Sequence, residues 1–351
     1  ATDAREGVYF RGSGDSLEIL GTSHHYETMA LSGFLSESID LGSWSLRPGV
    51  RLELFEQERV DRMQGSIYQD KTIFVLLPGV AFSKSIAGMN LFGGVHRGFT
   101  PPSSGALKIL NFGENLDDSG LDLDAEKSWN KELGIRGTLS LIEYEFAGFH
   151  IDIENLVAAG RGTAFKNLGK ITSQGLEARM GITLSQISLL LPDVHVSYAF
   201  LSTEVKDATI ISNVSGSVGS EISIKGKELP YSPNHTLTAG LEFKPISNLQ
   251  LRTDLRFVSK AYTDFENIEL NGRPDPTGVS GSIPEYSILN VSGSYQFNNS
   301  LKVFFSGKNI TDEVYIGSRL HSNPGQKEAN ISSGIIPGPR RQVNIGLEYS
   351  F

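Results

Sequence analysis

The last ten residues of the chain alternate without interruption between polar or small residues and apolar residues. The apolar positions are Val343, Ile345, Leu347, Tyr349 and Phe351. Because successive side chains of a β-strand point to opposite faces, these five residues share one face of a strand. The other face carries Gln342, Asn344, Gly346, Glu348 and Ser350. This pattern is typical of a strand in a membrane barrel.

The same two-residue period recurs along most of the chain, and helical periodicity is rare. Clear examples of the apolar face are Leu176, Ala178, Met180 and Ile182; Leu237, Ala239, Leu241 and Phe243; Leu249, Leu251, Leu255 and Phe257; and Leu289, Val291, Tyr295 and Phe297. We count about 13 such strands, or 14 if residues 7–11 form the first. The run 72–82 is almost continuously apolar, so its facing stays undecided. The pattern predicts an all-β, antiparallel fold.

The connections indicate a transmembrane barrel rather than a soluble sandwich. Tight turns are predicted near residues 41–43, 85–87, 140–141, 245–247 and 298–299. Long polar loops are predicted at 58–71, 98–127, 155–171, 206–231, 263–283 and 315–337. Short turns at one end and long loops at the other are the arrangement of transmembrane barrels.

The cost of placing charge in hydrocarbon predicts which face points outward. If Arg252, Asp254 and Arg256 faced lipid, the arginines would each cost about 2–4 kcal/mol near the bilayer midplane, and the aspartate less. We therefore expect these residues to face a wet lumen. A polar interior on most strands predicts a wide barrel, because only small barrels fill themselves with side chains.

Composition narrows the possible partners. The chain has 351 residues, 38 glycines, no cysteine and a formal charge of −9. The negative charge and the absence of a long Lys/Arg run argue against a nucleic-acid partner, because a phosphate-binding surface needs a basic stripe. No apolar stretch reaches the roughly 18 residues of a transmembrane helix. The chain begins Ala1-Thr2-Asp3 without an initiator Met or a hydrophobic signal region, so we expect it to be processed or partial.

Several short motifs, in their order along the chain, resemble one family. They are Leu46-Arg47-Pro48-Gly49-Val50-Arg51-Leu52-Glu53, Gly94-Val95-His96-Arg97-Gly98-Phe99-Thr100-Pro101-Pro102, Leu123-Asp124-Ala125-Glu126-Lys127-Ser128-Trp129 with Glu132-Leu133-Gly134, Asn167-Leu168-Gly169-Lys170 with Gln174-Gly175-Leu176-Glu177, Pro230-Tyr231-Ser232-Pro233-Asn234-His235, Lys308-Asn309-Ile310-Thr311-Asp312-Glu313-Val314-Tyr315, and Gly338-Pro339-Arg340-Arg341. In these stretches the chain resembles the TonB-dependent outer-membrane receptors, and within them the ferric dicitrate receptor-like group of siderophore receptors.

The resemblance implies a 22-stranded transmembrane barrel closed by an N-terminal plug and energised by the TonB complex. Counted backward from Phe351, residue 1 falls near the family's ninth strand, and nothing before residue 50 looks like a plug or a TonB box. We therefore expect residues 1–351 to be the C-terminal part of the barrel domain, without a plug. The implied function is uptake of ferric citrate or a ferric siderophore across the outer membrane of a Gram-negative bacterium. The implied partners are the cargo, the TonB complex, and lipopolysaccharide with outer-membrane lipid. No enzymatic activity and no cofactor are implied.

Basic residues near the predicted extracellular ends of strands are the candidate ligand-binding residues, because Arg offers fixed forks of donors to carboxylates. Arg97, and Arg340 with its neighbour Arg341, lie at the predicted outer ends of strands. They either contact an anionic iron chelate, or they form hydrogen bonds within the barrel wall or with lipopolysaccharide phosphates. The second, structural role is favoured. The candidates in the predicted loops are Arg161, Lys166, Arg273, Arg319 and His321.

The sequence predicts neither a metal-binding site nor a catalytic nucleophile. His24 with His25, and a trio of His150, Asp152 and Glu154 that we place on the inner face, are better explained as ordinary polar positions of a lumenal strand than as metal ligands. No hydrolytic triad and no phosphate-binding loop is supported.

Three alternatives stay open. The chain could belong to a passive channel, to a receptor of the same architecture for hydroxamate or catecholate siderophores, cobalamin or sugars, or to a soluble β-sandwich binding module. Conductance separates the first from a plugged receptor, and solubility without detergent identifies the last.

Overall fold

A computed structural model of the chain describes residues 2–13, 16–61, 66–101, 124–159, 165–212, 220–269, 281–319 and 334–351. None of the described residues forms a helix long and apolar enough to cross a membrane. Strands dominate, accompanied by one turn of 3-10 helix at Leu184–Gln186. The strands, in chain order, are β1 (Thr2–Ser13), β2 (Ser16–Ser36), β3 (Ile39–Leu41), β4 (Trp44–Asp61), β5 (Ser66–Ile86), β6 (Met89–Thr100), β7 (Glu126–Leu139), β8 (Ile142–Glu154), β9 (Val157–Ala159), β10 (Phe165–Asn167), β11 (Lys170–Ile182), β12 (Asp193–Asp207), β13 (Thr209–Ile211), β14 (Glu221–Ser223), β15 (His235–Ile246), β16 (Leu249–Val258), β17 (Tyr286–Gln296), β18 (Leu301–Lys308), β19 (Ile316–Arg319), β20 (Ile335–Pro337) and β21 (Gln342–Tyr349).

Fourteen of these strands form one antiparallel path, which we call the wall. Its order is β1-β2-β4-β5-β6-β7-β8-β11-β12-β15-β16-β17-β18-β21, and β3 pairs with the start of β4. The path therefore has two ends, β1 and β21, that do not pair with each other in the described part of the chain. The all-β antiparallel prediction is confirmed, as is the larger strand count, since residues 7–11 lie within β1.

Most connections alternate along the wall as predicted, but at the upper rim β2 already begins at Ser16, close after the end of β1 at Ser13. The turns at the lower rim are short, as at 87–88, 140–141 and 247–248, although 183–192 is a longer connection that includes the 3-10 turn. Three of the connections at the upper rim carry small two-stranded sheets of their own, β9 with β10, β13 with β14, and β19 with β20. The predicted loop at 58–71 is wrong in extent, because β4 continues to Asp61 and β5 begins at Ser66.

One face of the wall is apolar over its lower and middle part, and we call it the outward face. Strand register places Leu52, Leu76, Leu133, Leu176 and Leu347 on it. These side chains are well exposed, from 44% for Leu52 to 70% for Leu347. The opposite, inward face carries charge, including the predicted lumenal residues Arg252 and Asp254. Hydrocarbon against the first face and water against the second satisfies both sets of side chains.

Near the upper rim the polarity of the two faces is exchanged. On β8 the outward positions become His150, Asp152 and Glu154, while Ile151 and Ile153 point inward. The inner-face placement of that trio is therefore wrong: paired residues share a face, and His150 pairs with Lys131 in line with the outward Leu133. Among the described residues no three His, Asp or Glu side chains are grouped to hold a metal ion.

The exchange also explains the apolar run at 72–82. On β5 the inward Ile73 and Val75 pack with Phe55 of β4 and Ala125 in a small core. A strand covered on both faces is apolar at successive positions rather than at alternate ones.

The two tryptophans of the chain mark the two levels at which the outward face becomes polar. Lys84 Nζ lies 4.5 Å from the ring centre of Trp44 near the lower rim, and the guanidinium of Arg97 lies 5.5 Å from the ring centre of Trp129 near the upper rim. From Trp129 to Leu139, β7 covers about 33 Å at about 3.3 Å per residue. With a tilt of about 40°, this corresponds to an apolar band about 25 Å tall, the height of a transmembrane barrel.

Candidate functional site

The connections at the upper rim fold over the wall and share a core. Its buried members are Leu168, Ile171, Val205, Ala208, Ile210 and Ile224. Ile171 and Val205 are opposed on β11 and β12, and the residues from the following connection cover them. Burial of these side chains holds the upper rim as a preformed platform, because each buried aliphatic side chain contributes about 1.5–3 kcal/mol.

Hydrogen bonds join three successive connections at this rim. The amide of Asn267 donates to Glu228 O at 2.9 Å, and Asn267 Oδ1 accepts from Glu228 N at 2.7 Å. Tyr231 N donates to Tyr262 O at 2.7 Å. The hydroxyl of Tyr231 donates to the carbonyl of Arg319, which belongs to the next connection, at 3.0 Å. The connections after β12, β16 and β18 are therefore interlocked rather than independent.

Asn167 links the bases of two further connections. Its Nδ2 donates to Asp124 O at 2.8 Å and to Asn155 O at 2.9 Å. Its Oδ1 accepts from Asp124 N at 2.7 Å. The segment that leads into β7 is thus tied to the segment between β8 and β11.

Asn309 ties the end of β18 to the segment before β21, and we call this group of contacts the clasp. Its Nδ2 donates to Glu313 O at 2.9 Å and to Pro339 O at 3.0 Å, and its Oδ1 accepts from Glu313 N at 2.9 Å. Asn309 is 2% exposed and has a φ of +48°, a conformation that Asn tolerates better than most residues. The ring of Tyr315 lies over Gly338, where a Cβ would come within 2.0 Å of its Cζ. Two of the motifs noted in the sequence, 308–315 and 338–341, are therefore one structural unit.

The clasp also contains an ion pair. Arg340 donates two hydrogen bonds to Asp312, from Nε to Oδ1 at 2.9 Å and from Nη2 to Oδ2 at 2.6 Å. The amide of Arg341 donates to Asp312 Oδ1 at 3.0 Å. The Arg340 guanidinium, followed by the Arg341 amide, holds the pKa of Asp312 far below its ordinary range.

A second charged group closes the connection between β16 and β17 on itself. Lys260 Nζ and the hydroxyl of Tyr262, at 2.9 Å, both donate to Glu269 Oε1. The hydrogen bonds from Lys260 and then from Tyr262 lower the pKa of Glu269, and the bond to Glu269 raises the pKa of Lys260. Composition alone did not suggest this group, because a short i to i+9 contact in a loop has no periodic signal.

The inward face carries charged networks on the wall itself. On β16, Arg252 donates to both oxygens of Asp254, from Nε to Oδ2 at 2.9 Å and from Nη2 to Oδ1 at 2.9 Å, and His195 Nε2 lies 3.1 Å from the same Oδ1. Register places Arg136, Glu145 and Arg179 in one inward row across β7, β8 and β11. This confirms the predicted wet interior. The network around Asp254 includes a histidine from β12 that only the strand register could have indicated.

The structure separates the candidate ligand-binding residues. Arg97 pairs with Trp129 on the outward face, Arg340 is held by Asp312, and Arg319 is 3% exposed with its Nη2 donating to Ser282 O at 3.0 Å. Lys166 lies in β10. Arg161, Arg273 and His321 lie outside the described residues. The placements of Arg97 and Arg340 favour the wall role considered for both, and contact of any candidate with cargo stays a prediction.

Comparison with known proteins decides the family. The model of the TonB dependent receptor-like, beta-barrel family matches residues 3–310. The chain belongs to this family. Members of the family are Gram-negative outer-membrane proteins, so the outward face meets the hydrocarbon of that membrane.

Several solved structures share the fold. The ferric citrate transporter FecA, in its unliganded form, is 23% identical with a TM-score of 0.74, over 96% of this chain and 47% of FecA. The siderophore receptor PiuA from Acinetobacter baumannii is 15% identical with a TM-score of 0.71, over 97% of this chain and 45% of PiuA. The ferric-catecholate import receptor Fiu from K12 E. coli is 14% identical with a TM-score of 0.70, over 99% of this chain and 50% of Fiu. The chain therefore spans about half the length of the solved relatives that it matches.

Proposed function

We propose that the protein is a receptor that binds a ferric chelate at its upper rim and imports it with energy from the TonB complex. Family membership is the observation that carries this proposal. The preformed upper rim supports it, because interlocked connections provide a rigid base for loops that recognise a ligand. The protein does no covalent chemistry in this proposal, and its task is binding and passage.

Ferric citrate is the cargo we favour, on the resemblance of the sequence motifs to the ferric dicitrate receptor-like group. FecA, PiuA and Fiu differ in the cargo that their names give, so the shared fold does not discriminate among ferric chelates. Citrate complexes are anionic, which suits the basic residues Arg161, Lys166, Arg273 and His321 of the loops predicted from the sequence.

Binding would shift the upper connections toward a closed arrangement over the cargo, with segments 98–127 and 155–171 as the moving pair. Such a shift requires contacts that differ between the open and closed states. Because Asn167 ties the bases of these two segments together at Asp124 and Asn155, we expect the two bases to move as a unit.

Transport of radioactive iron by iron-starved cells tests the proposal. Cells that carry the protein should accumulate iron from ferric citrate, and loss of TonB should abolish the uptake. Deletion of residues 103–122 should then reduce ferric citrate affinity while the amount of protein in the outer membrane stays unchanged. Unchanged affinity would refute the loop proposal, and TonB-independent uptake would refute energised import.

A passive channel is the second candidate, and the charged inward face favours it. Arg51, Glu53 and Ser32 on this face are hydrogen-bonded to one another, and such a lining conducts when water fills the interior. Conductance in planar bilayers separates the two functions, since a receptor with a plugged interior shows almost none.

A further inference from the structure

The connection between β11 and β12 is longer than the other connections at the lower rim of the described chain, and it contains no charged residue. Its sequence is Thr183-Leu184-Ser185-Gln186-Ile187-Ser188-Leu189-Leu190-Leu191-Pro192. Four large apolar side chains in it are exposed, from 38% at Leu191 to 71% at Leu190, and the other two are Ile187 and Leu189. An exposed apolar group of this size marks a surface that contacts another apolar phase or a partner.

The wall around this connection is apolar on its outward face. The outward residues at the lower ends of β8, β11, β12 and β15 form one row, which consists of Ile142, Ile182, Val194 and Leu241. Leu190 and Pro192 line a groove together with the outward Leu241 and Phe305. The connection therefore lies against the outward side of the wall, and its apolar surface is continuous with the face that meets hydrocarbon.

The height of the apolar band places the start of β12 inside it. On the outward face of β12, Phe200 is followed upward by Ser202 and Glu204, so Phe200 marks the upper edge of the band. From Phe200 down to Asp193, the strand covers about 23 Å at about 3.3 Å per residue, which is about 18 Å of height at a tilt of about 40°. The band is about 25 Å tall, so about 7 Å of it remains below Asp193. The connection occupies this remaining depth.

Hydrogen bonds within the connection make this position possible. Hydrocarbon offers no partner to a free N–H group, so a segment at this depth must satisfy its own backbone. Seven N–H groups of the connection donate to neighbouring protein atoms, those of Thr183, Ser185, Gln186, Ile187, Ser188, Leu190 and Leu191. Asp193 closes the segment, because its Oδ1 accepts from Ser185 N at 2.8 Å and its Oδ2 accepts from Ser185 Oγ at 2.9 Å. The connection is thus a compact, internally bonded unit.

We propose that residues 183–192 are a membrane anchor, inserted into the bilayer leaflet at the lower rim with Leu189 and Leu190 in its hydrocarbon. In water, the apolar side chains would stay exposed without compensation. Against a second protein, the backbone would not need its internal bonds, because polar groups of the partner or trapped water could accept from the N–H groups. The anchor fixes the height of the barrel where β12 stops short of the edge of the band. It depends neither on the cargo nor on energised import.

A nitroxide spin label measures the depth directly. Residues 1–351 contain no cysteine, so Leu189→Cys and Leu190→Cys each introduce one attachment site. The protein is purified from outer membranes, labelled, and reconstituted at a low ratio of protein to lipid in vesicles of phosphatidylethanolamine and phosphatidylglycerol. Power saturation then compares collisions with oxygen and with a hydrophilic nickel chelate. We expect both labels to be accessible to oxygen and protected at least about tenfold from the chelate, because polar solutes are excluded from hydrocarbon.

Two further positions calibrate the measurement. Leu347→Cys on the outward face gives the value for hydrocarbon, and Ser247→Cys in the short turn 247–248 of the same rim gives the value for water. Resistance to dissociation by SDS before heating reports that each variant is folded. Because no second protein is present in the vesicles, protection of Leu189→Cys and Leu190→Cys there comes from lipid. Nickel access at these two positions equal to that at position 247 would overturn the proposal and would assign the apolar surface to a protein partner.

Discussion

Replacing Asn309 is the most direct test of the clasp. Asn309→Ala removes three side-chain hydrogen bonds, the two donated to Glu313 O and Pro339 O and the one accepted from Glu313 N. Each buried bond contributes about 1 kcal/mol, so the loss is about 3 kcal/mol. The positive φ of 48° adds about 1 kcal/mol for alanine. The expected decrease in the free energy of unfolding is about 4 kcal/mol.

Two further variants separate the hydrogen-bond contribution to this decrease from the backbone contribution. Asn309→Gly also loses the three bonds but tolerates the left-handed backbone, so it should be about 1 kcal/mol less destabilised than Asn309→Ala. Thr311→Ala is the matched control, because Thr311 makes only a long contact of 3.5 Å with Asn309, and it should cost less than about 0.5 kcal/mol.

Guanidinium unfolding of the protein refolded in lipid vesicles measures these differences. Amide hydrogen exchange provides a local measurement, since Glu313 N–H and Gly338 N–H should both exchange faster when the clasp opens. A loss below about 1 kcal/mol in Asn309→Ala, together with unchanged exchange at these two amides, would refute the reasoning.

Three further predictions test the membrane band, the charged part of the clasp and the link between connections. Phe146→Arg should cost about 2–4 kcal/mol because it places charge within the apolar band, whereas Glu154→Arg higher on the same face of β8 should cost less than about 1 kcal/mol; unfolding in lipid compares them, and equal costs would contradict the assigned band. Folding lowers the pKa of Asp312, so its ionised form stabilises the protein above its unfolded pKa of about 3.9, and this contribution is lost as the pH falls through the lower folded value. Asp312→Asn should therefore make the free energy of unfolding less sensitive to acid. An unchanged dependence of unfolding on acid pH would oppose this role of Asp312. Asn167→Ala should speed hydrogen exchange at Asp124, which loses its bond to Asn167 Oδ1, while exchange in β21 stays as it was.

The sequence predicted the strands of the wall well because the signal is local. An outward residue such as Leu347 or Leu176 faces lipid rather than a distant part of the chain, so its polarity depends only on its position in the strand. The turns of the lower rim were predicted for a similar reason, since they are too short to depend on other segments.

The upper rim was predicted less well because polarity there depends on tertiary packing. We assigned His150, Asp152 and Glu154 to the inner face by assuming one environment along the whole strand. Above the membrane the outside is water and the inside is a core, so the rule reverses. The apolar residues Ile151 and Ile153 alternate with this polar trio in the sequence. Only the packing of Ile153 against the buried core that contains Leu168 shows that the apolar positions face inward here.

Contacts between distant segments explain why motifs were recognised before their roles were understood. Asn309 and Pro339 are thirty residues apart, and no periodic pattern predicts that one amide joins them. Arg319 resembled a loop cation in the sequence, yet in the fold its guanidinium is buried and holds Ser282 O.

For the proposed receptor function, the partners of the arginines bear on which side chains would recognise the chelate. Arg340 donates two parallel hydrogen bonds to Asp312, so the Nε–Nη2 edge of its guanidinium is already occupied by a carboxylate. An anionic chelate could recruit Arg340 through that edge only by displacing Asp312, and the exchange would leave a carboxylate without its cation next to the bound anion. Arg319 would have to leave a buried site. In the proposed function, the energetically cheaper arrangement keeps both arginines as supports of the rim and leaves recognition of the chelate to other side chains.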